Sequence, residues 1–93
     1  MVAPSPVVEL NRSVAVGMAF GPAAGLEIVD ELGSNAVLKN YHWLPCVRGD
    51  LLAKLGRREE ARTEFERAAA MTRNVREKEL LLERAAEMKG MRE

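Results

Sequence analysis

Residues 45–68 have the sequence PCVRGDLLAKLGRREEARTEFERA, and this stretch gives the strongest indication of the fold. Gly49 lies before Gly56, and Ala61 and Phe65 follow it at helical spacing. Gly56 supplies the left-handed backbone that ends a helix. Small residues let two helix backbones approach closely, and a large ring beside them fills the remaining volume. The stretch therefore predicts two antiparallel helices joined by a tight turn.

The same kind of pattern predicts further helices on both sides of this stretch. Ser5 is a good N-cap residue, and Gly21-Pro22 ends the first helix and opens the second. These two helices form a predicted pair over residues 5–32, and the stretch above belongs to a second pair over residues 41–71. A fifth helix over residues 74–90 caps the second pair. No segment alternates strictly enough between apolar and polar residues to predict a strand.

The fifth helix has its own start signal and its own apolar stripe. Asn74 and Glu77 have the spacing of a capping box, in which the two residues satisfy each other's backbone N–H groups. We expect this helix to bury a stripe formed by Leu81, Leu82, Ala85 and Met88. The expected fold is therefore all-α, with antiparallel helix pairs and a C-terminal capping helix in a single domain over residues 1–93.

Composition excludes several classes of protein. The chain has 93 residues, 14 basic and 14 acidic, so it lacks the excess positive charge that free-standing nucleic-acid binding normally requires. Its single cysteine excludes an internal disulfide framework and fits a reducing cytoplasm. No apolar run approaches the roughly 20 residues of a membrane-spanning helix, and the N-terminus lacks the features of a secretion signal. We expect a cytoplasmic protein that does not contact a membrane.

The order of residues in the second pair resembles a tetratricopeptide unit. Gly21 and Gly56 are 35 residues apart, close to the period of about 34 residues in that family. The first pair has no clear match to Phe65, so the chain has one complete unit, one degenerate unit and a capping helix. The resembling positions are Gly49, Leu52, Leu55-Gly56, Ala61, Phe65 and Ala68.

A narrower resemblance covers nearly the whole chain. Several strings are similar to the C-terminal helical extension of one bacterial group of extracytoplasmic-function RNA polymerase sigma factors. The strings are Ser5-Pro6-Val7-Val8-Glu9-Leu10-Asn11-Arg12-Ser13-Val14-Ala15-Val16, Gly21-Pro22-Ala23-Ala24, Tyr41-His42, Arg48-Gly49-Asp50-Leu51-Leu52, Leu55-Gly56-Arg57 and Glu66-Arg67-Ala68. The chain departs from that group mildly, with Gly49 in place of Ala, Phe65 in place of Tyr and Val75 in place of Pro.

The resemblance implies a non-catalytic regulatory domain, as a fragment of a longer sigma factor. Its implied partners are the upstream sigma regions of the same parent chain and RNA polymerase, and promoter DNA is contacted only through those absent regions. The alternative is a stand-alone tetratricopeptide-like adaptor that binds a peptide or partner protein in its inner groove. A native start at Met1 would favour the adaptor. An accessory segment of an enzyme is a third alternative, and we expect no enzymatic activity and no cofactor.

The first helix is apolar nearly all round, with Glu9 and Arg12 as its only charged residues. Such a helix is normally buried on several sides. We expect its remaining face to pack against an upstream helix of the parent protein, or against a second copy in an isolated homodimer.

His42, Cys46 and Asp50 lie four residues apart in succession and have side chains that can bind metals. A zinc site needs three or four protein ligands, most often His or Cys, and the chain has one of each. A Cys–His nucleophilic pair would lack a third orienting residue. We therefore interpret His42 as half-buried and Cys46 as a thiol at the edge of the core, and we expect no metal.

One polar cluster could be structural or could bind a partner. A buried Arg12 would need a partner, and the 35-residue shift brings Asn11 and Arg12 near Cys46 and Val47, so that Arg12 and Asp50 could meet. They would form either a structural pair or the polar floor of a peptide groove. The candidate residues of this cluster are Asn11, Arg12, Tyr41, His42, Trp43, Arg48, Asp50 and Lys54.

Overall fold

The computed structural model describes residues 6–34, 38 and 41–90, and within these ranges the chain is helical without strands. The described residues form five successive α-helices, and neighbouring helices pack against each other. This confirms the predicted all-α fold of helix pairs. The helices are α1 (Pro6–Phe20), α2 (Pro22–Leu32), α3 (Trp43–Lys54), α4 (Arg58–Met71) and α5 (Val75–Gly90).

The predicted breakers lie where the helices end. Gly21, the single residue between α1 and α2, has φ 105°, and Gly56, between α3 and α4, has φ 80°. Both values lie in the left-handed region that glycine adopts without steric cost. Pro22 opens α2, as expected from its missing N–H. The expected N-cap of α1, Ser5, lies outside the described residues.

The first helix pair is held together by close backbone contact. A Cβ atom added to Gly25 of α2 would lie 2.6 Å from the carbonyl oxygen of Ser13 and 3.1 Å from the Cα atom of Gly17 in α1. Gly25 and Ser13 are both buried. The absence of a side chain at Gly25 therefore lets α1 and α2 cross in contact.

In the second pair, a glycine again allows close contact between two helices, but its neighbour is an aromatic ring instead of a backbone. A Cβ atom on Gly49 of α3 would lie 2.8 Å from Cε1 of Phe65 in α4. Phe65 and Ala61 are both fully buried. The prediction that small residues and this ring form the α3–α4 crossing is confirmed.

The fifth helix covers the second pair with three of its four predicted stripe residues. Leu81, Ala85 and Met88 are buried, whereas Leu82 is 45% exposed. The expectation for Leu82 was wrong because one residue corresponds to a rotation of about 100°, which turns Leu82 away from the line through Leu81, Ala85 and Met88.

Helix α1 contributes few residues to the core and leaves much apolar surface exposed. Leu10 is fully buried, while Val8 is 56%, Met18 78% and Phe20 80% exposed. The neighbouring helices α2 and α3 therefore cover α1 on one side only. None of the helices among the described residues is long and apolar enough to cross a membrane.

Candidate functional site

Two adjoining clefts lie along the first, third and fifth helices. One, of about 220 Å³, lies between α3 and α5, and the other, of about 250 Å³, lies mainly between α1 and α3. Trp43, Cys46 and Arg84 line both clefts, so the two form one continuous surface, which we call the groove. The other lining residues are His42, Glu77, Leu80 and Leu81 in the first cleft, and Val14, Gly17, Met18, Val47, Asp50, Leu51 and Lys54 in the second.

Half of the candidate residues from the sequence lie in this groove. Trp43, Asp50 and Lys54 are on one face of α3, and His42 immediately precedes that helix. Trp43 is 41% exposed, which is high for the largest side chain of the chain. The groove therefore has an aromatic residue accessible to a ligand near its middle. The other four candidates, Asn11, Arg12, Tyr41 and Arg48, lie elsewhere.

Arg12 does not pair with Asp50, so the expected pair is corrected. Its Nη1 lies 3.0 Å from Oε1 of Glu9 on the same helix, and its side chain is 60% exposed. The α1 residues that line the groove beside Cys46 are Val14, Gly17 and Met18, not Asn11 and Arg12. Arg12 precedes Val14 by two residues, about 200° around the helix, so it extends away from α3.

Arg48 joins three helices away from the groove. Its Nε donates to Oδ1 of Asp30 in α2 at 2.8 Å, and its Nη1 lies 3.1 Å from Oε2 of Glu64 in α4. The side chain of Glu64 is only 9% exposed. A buried carboxylate needs such a partner, so Arg48 is a structural residue. Tyr41 is likewise structural, since it packs half-buried against the hydrophobic core.

Asp50 binds two cations in the middle of the groove. Nη2 of Arg84 donates to its Oδ1 at 2.9 Å, and Nζ of Lys54 lies 3.1 Å from its Oδ2. Partial burial raises the pKa of Asp50, but the hydrogen bonds from Arg84 and Lys54 outweigh it and lower the pKa below the ordinary value. Asp50 is therefore ionised at neutral pH, with one cation on each of its oxygens.

Arg84 is the main groove residue that the sequence analysis missed. It lies on α5, 34 residues after Asp50. That separation equals the repeat period of the tetratricopeptide family, which places equivalent positions of successive units on one surface. One period added to Asp50 gives Arg84, whereas the 35-residue shift from Asn11 and Arg12 relates only the first and third helices.

The outer end of the groove is a small hydrogen-bonded junction between α3 and α5. Nε2 of His42 lies 2.9 Å from Oε1 of Glu77, and the hydroxyl of Thr72 donates to the same oxygen at 2.9 Å. Asn74 caps α5 by accepting the N–H of Glu77 at 3.0 Å, but its own N–H donates to the Thr72 hydroxyl at 3.2 Å. The predicted capping box is thus half formed, because the Glu77 carboxylate has these other partners.

Cys46 lies at the edge of the core, as predicted. It also lines the groove, which was not predicted. Burial raises the pKa of its thiol, and although Arg84 acts in the opposite direction, the Asp50 and Glu77 carboxylates add to the rise. A raised pKa keeps the thiol protonated at neutral pH, which is the opposite of what a nucleophilic cysteine needs. Among the described residues, no group of three or more His, Cys, Asp or Glu side chains could hold a metal ion.

The chain is similar to part of a longer bacterial protein. The chain is 50% identical over 74 residues to an uncharacterized protein of Rhizobium meliloti (strain 1021). The matched segment is 80% of this chain but only 17% of that relative. No family model matches the chain, and no solved structure matches it.

Proposed function

We propose that this chain is the non-catalytic C-terminal regulatory domain of an alternative RNA polymerase sigma factor of the extracytoplasmic-function class. It acts in transcription initiation through protein–protein contacts, in the cytoplasm where the polymerase works. The sequence strings similar to that group support the family. The matched segment of the Rhizobium meliloti protein is a small part of a much longer chain, which is compatible with a domain of a larger factor.

The observation that carries the proposal is the uncovered side of α1. Val8 is 56% exposed, and Ala15 and Ala19 are exposed on the same side of the helix, seven and eleven residues further on. We call these three residues the outer face of α1. Small side chains such as Ala15 and Ala19 allow a second helix to approach closely, and apolar residues favour its burial. The proposed occupant is a helix of the upstream sigma regions or of the polymerase.

The proposed mechanism depends on two states of the contact at the outer face of α1, docked and undocked. When the outer face is docked, the domain holds the sigma regions in one arrangement relative to the polymerase. A signal or partner that binds better to one arrangement shifts the equilibrium by its difference in affinity for the two states. Promoter DNA is contacted by the other regions of the factor, and the domain performs no reaction itself.

Transcription by the product of the complete reading frame tests the proposal. We expect Ala15→Glu to lower its run-off transcription with core RNA polymerase at least about tenfold, since a buried, unpaired carboxylate costs more than the 1.4 kcal/mol of a tenfold effect. Val75→Glu is the matched control, because Val75 is 69% exposed on α5, away from α1. It should transcribe as the parent does.

Thermal unfolding of both variants shows whether a lower transcription activity results from a loss of the fold. Both variants should unfold as the parent does. Failure of the parent factor to bind core polymerase, or full activity of Ala15→Glu, would contradict the proposed function.

A further inference from the structure

The centre of the groove has an excess of positive charge, and its cationic side chains are positioned by their contacts with Asp50. Arg84 and Lys54 both pair with Asp50, so these three side chains together have one net positive charge. Arg84 and Lys54 are 41% and 55% exposed, so both cations remain accessible from the groove. A second carboxylate entering here would therefore meet two cations that share a single partner.

Arg84 is held in place before any ligand arrives. The carbon of its guanidinium group lies 4.5 Å from the centre of the Phe65 ring, a cation–π contact. The ring is itself immobilised, because it is fully buried and packs against Gly49. A cation fixed in this way loses little conformational entropy on binding, which favours a directed contact with a carboxylate.

Apolar side chains flank this cationic centre on both sides. Leu80, 53% exposed on α5, lines the first cleft, and Met18, 78% exposed on α1, lines the second. Trp43 lies between them and lines both clefts. Each cleft therefore adds an exposed apolar side chain beside the cationic centre, and the first cleft also contains His42 and Glu77 at its outer end.

We propose that the groove binds a segment of a partner protein in which a Glu or Asp side chain lies between apolar side chains. The carboxylate pairs with Arg84 and Lys54, and the apolar neighbours pack on Leu80, Trp43 and Met18. This surface is separate from the outer face of α1, so the inference holds for a sigma-factor domain and for a stand-alone adaptor alike. Nucleic acid is disfavoured as the occupant, because the chain has no net positive charge and the groove offers two cations rather than the row of cations that a phosphate backbone requires. Glu77 lies at the outer end of the groove, beside His42 and Thr72.

The fluorescence of Trp43, the chain's single tryptophan, reports directly on this site. The probes are two soluble 12-residue peptides, each with a central Leu-Leu-X-Leu-Leu and lysines at its ends, in which X is Glu or Gln. We expect the wild-type chain to bind the Glu peptide about tenfold more tightly than the Gln peptide, the value of one good charge-assisted hydrogen bond. Equal binding of both peptides, or no binding, would overturn the proposal.

Variants then assign the preference to the two cations. The ratio of the affinity for the Glu peptide to that for the Gln peptide should fall towards one in Arg84→Gln. It should fall at least threefold in Lys54→Gln. Arg62→Gln, which removes an exposed arginine of α4 paired with Glu66, should keep the full ratio. If circular dichroism shows that Arg84→Gln does not fold, Lys54→Gln decides. A ratio unchanged in the folded variants would overturn the inference.

The apolar flank has its own matched pair. Leu80→Ala should weaken both peptides equally, by at least threefold, whereas Leu82→Ala, on the same helix but outside the groove, should weaken neither. A larger loss of affinity in Leu82→Ala than in Leu80→Ala would contradict the assignment of Leu80 to the binding surface. So would a Trp43 response to anionic vesicles or duplex DNA but to neither peptide.

Discussion

Asp50 shows how one carboxylate organises the groove and makes stability depend on pH. Because Arg84 and Lys54 lower its pKa below the ordinary value of 3.8, its pairing stabilises the fold fully above that value. The contribution is lost as the pH falls through the lower folded-state pKa. We expect Asp50→Asn to lower the free energy of unfolding by about 1 kcal/mol at pH 7, since all three side chains of the cluster are partly solvated.

Urea unfolding between pH 2 and 7 measures this difference. It should be constant from pH 7 to about pH 4.5 and shrink towards zero at the acid end. The control Glu83→Gln, exposed on the same helix as Arg84, should unfold as the wild type does. A difference between Asp50→Asn and wild type that persists unchanged at pH 2 would contradict the ion-cluster explanation.

The substitution Gly49→Ala adds one methyl group at the close crossing of α3 and α4 and therefore tests how tightly these helices pack. An alanine Cβ would lie 2.8 Å from Cε1 of the buried Phe65 ring, and the resulting overpacking exceeds the gain in helix propensity. We expect Gly49→Ala to lower the free energy of unfolding by about 1 kcal/mol or more. Gly33→Ala is the control, because its nearest contact is 3.4 Å, and it should change stability by less than about 0.5 kcal/mol. A Gly49→Ala variant as stable as wild type would show that the ring can move.

At the scale of the helix, the start of α5 depends on a single cap. The Oδ1 atom of Asn74 accepts the N–H of Glu77, and we expect Asn74→Ala to cost about 1 kcal/mol. Arg73→Ala, exposed beside it, should cost less than about 0.5 kcal/mol. Thermal unfolding compares the two variants. Equal unfolding temperatures for both would mean that the Asn74 cap does not stabilise the helix.

The helices could be predicted from the sequence because their ends depend on local chemistry. Gly21, Gly56 and Asn74 act on backbone groups within a few residues, so their effects are visible in the sequence. The second half of the capping box could not be predicted in this way. The Glu77 side chain accepts a hydrogen bond from Thr72 and lies 2.9 Å from Nε2 of His42, and His42 becomes its neighbour only when α3 packs beside α5.

The groove could be predicted only in part, because it depends on how helices are aligned against each other. Trp43, Asp50 and Lys54 share one face of α3 by helical spacing alone, so their common surface could be predicted. The position of Arg12 depends on how α1 is aligned against α3, and the degenerate first unit predicted the wrong alignment. The pairing of Asp50 with Arg84 follows from the 34-residue repeat period, which relates α3 to α5.

Within the described residues, we propose two separate surfaces for contacts with other proteins: the groove and the outer face of α1. They differ in chemistry, since the groove combines cations with apolar flanks, whereas the outer face presents the small apolar side chains of Val8, Ala15 and Ala19, with the exposed Asn11 and Arg12 beside them. The first suits a short acidic segment, and the second suits a helix packed over its length. Under the two proposals, the domain remains docked in its parent protein while it binds a further partner.

The accessibility of Ala15 in the intact protein tests the central claim most directly. In a background with Cys46→Ala, Ala15→Cys is labelled with a maleimide both in the 93-residue chain and in the product of the complete reading frame. Ala70→Cys, at an exposed position of α4, is the matched control. We predict that labelling at position 15 is at least about tenfold slower in the product of the complete reading frame than in the 93-residue chain, while labelling at position 70 is the same in both. Equally fast labelling at position 15 in both proteins would contradict the claim that the outer face of α1 is a docking surface.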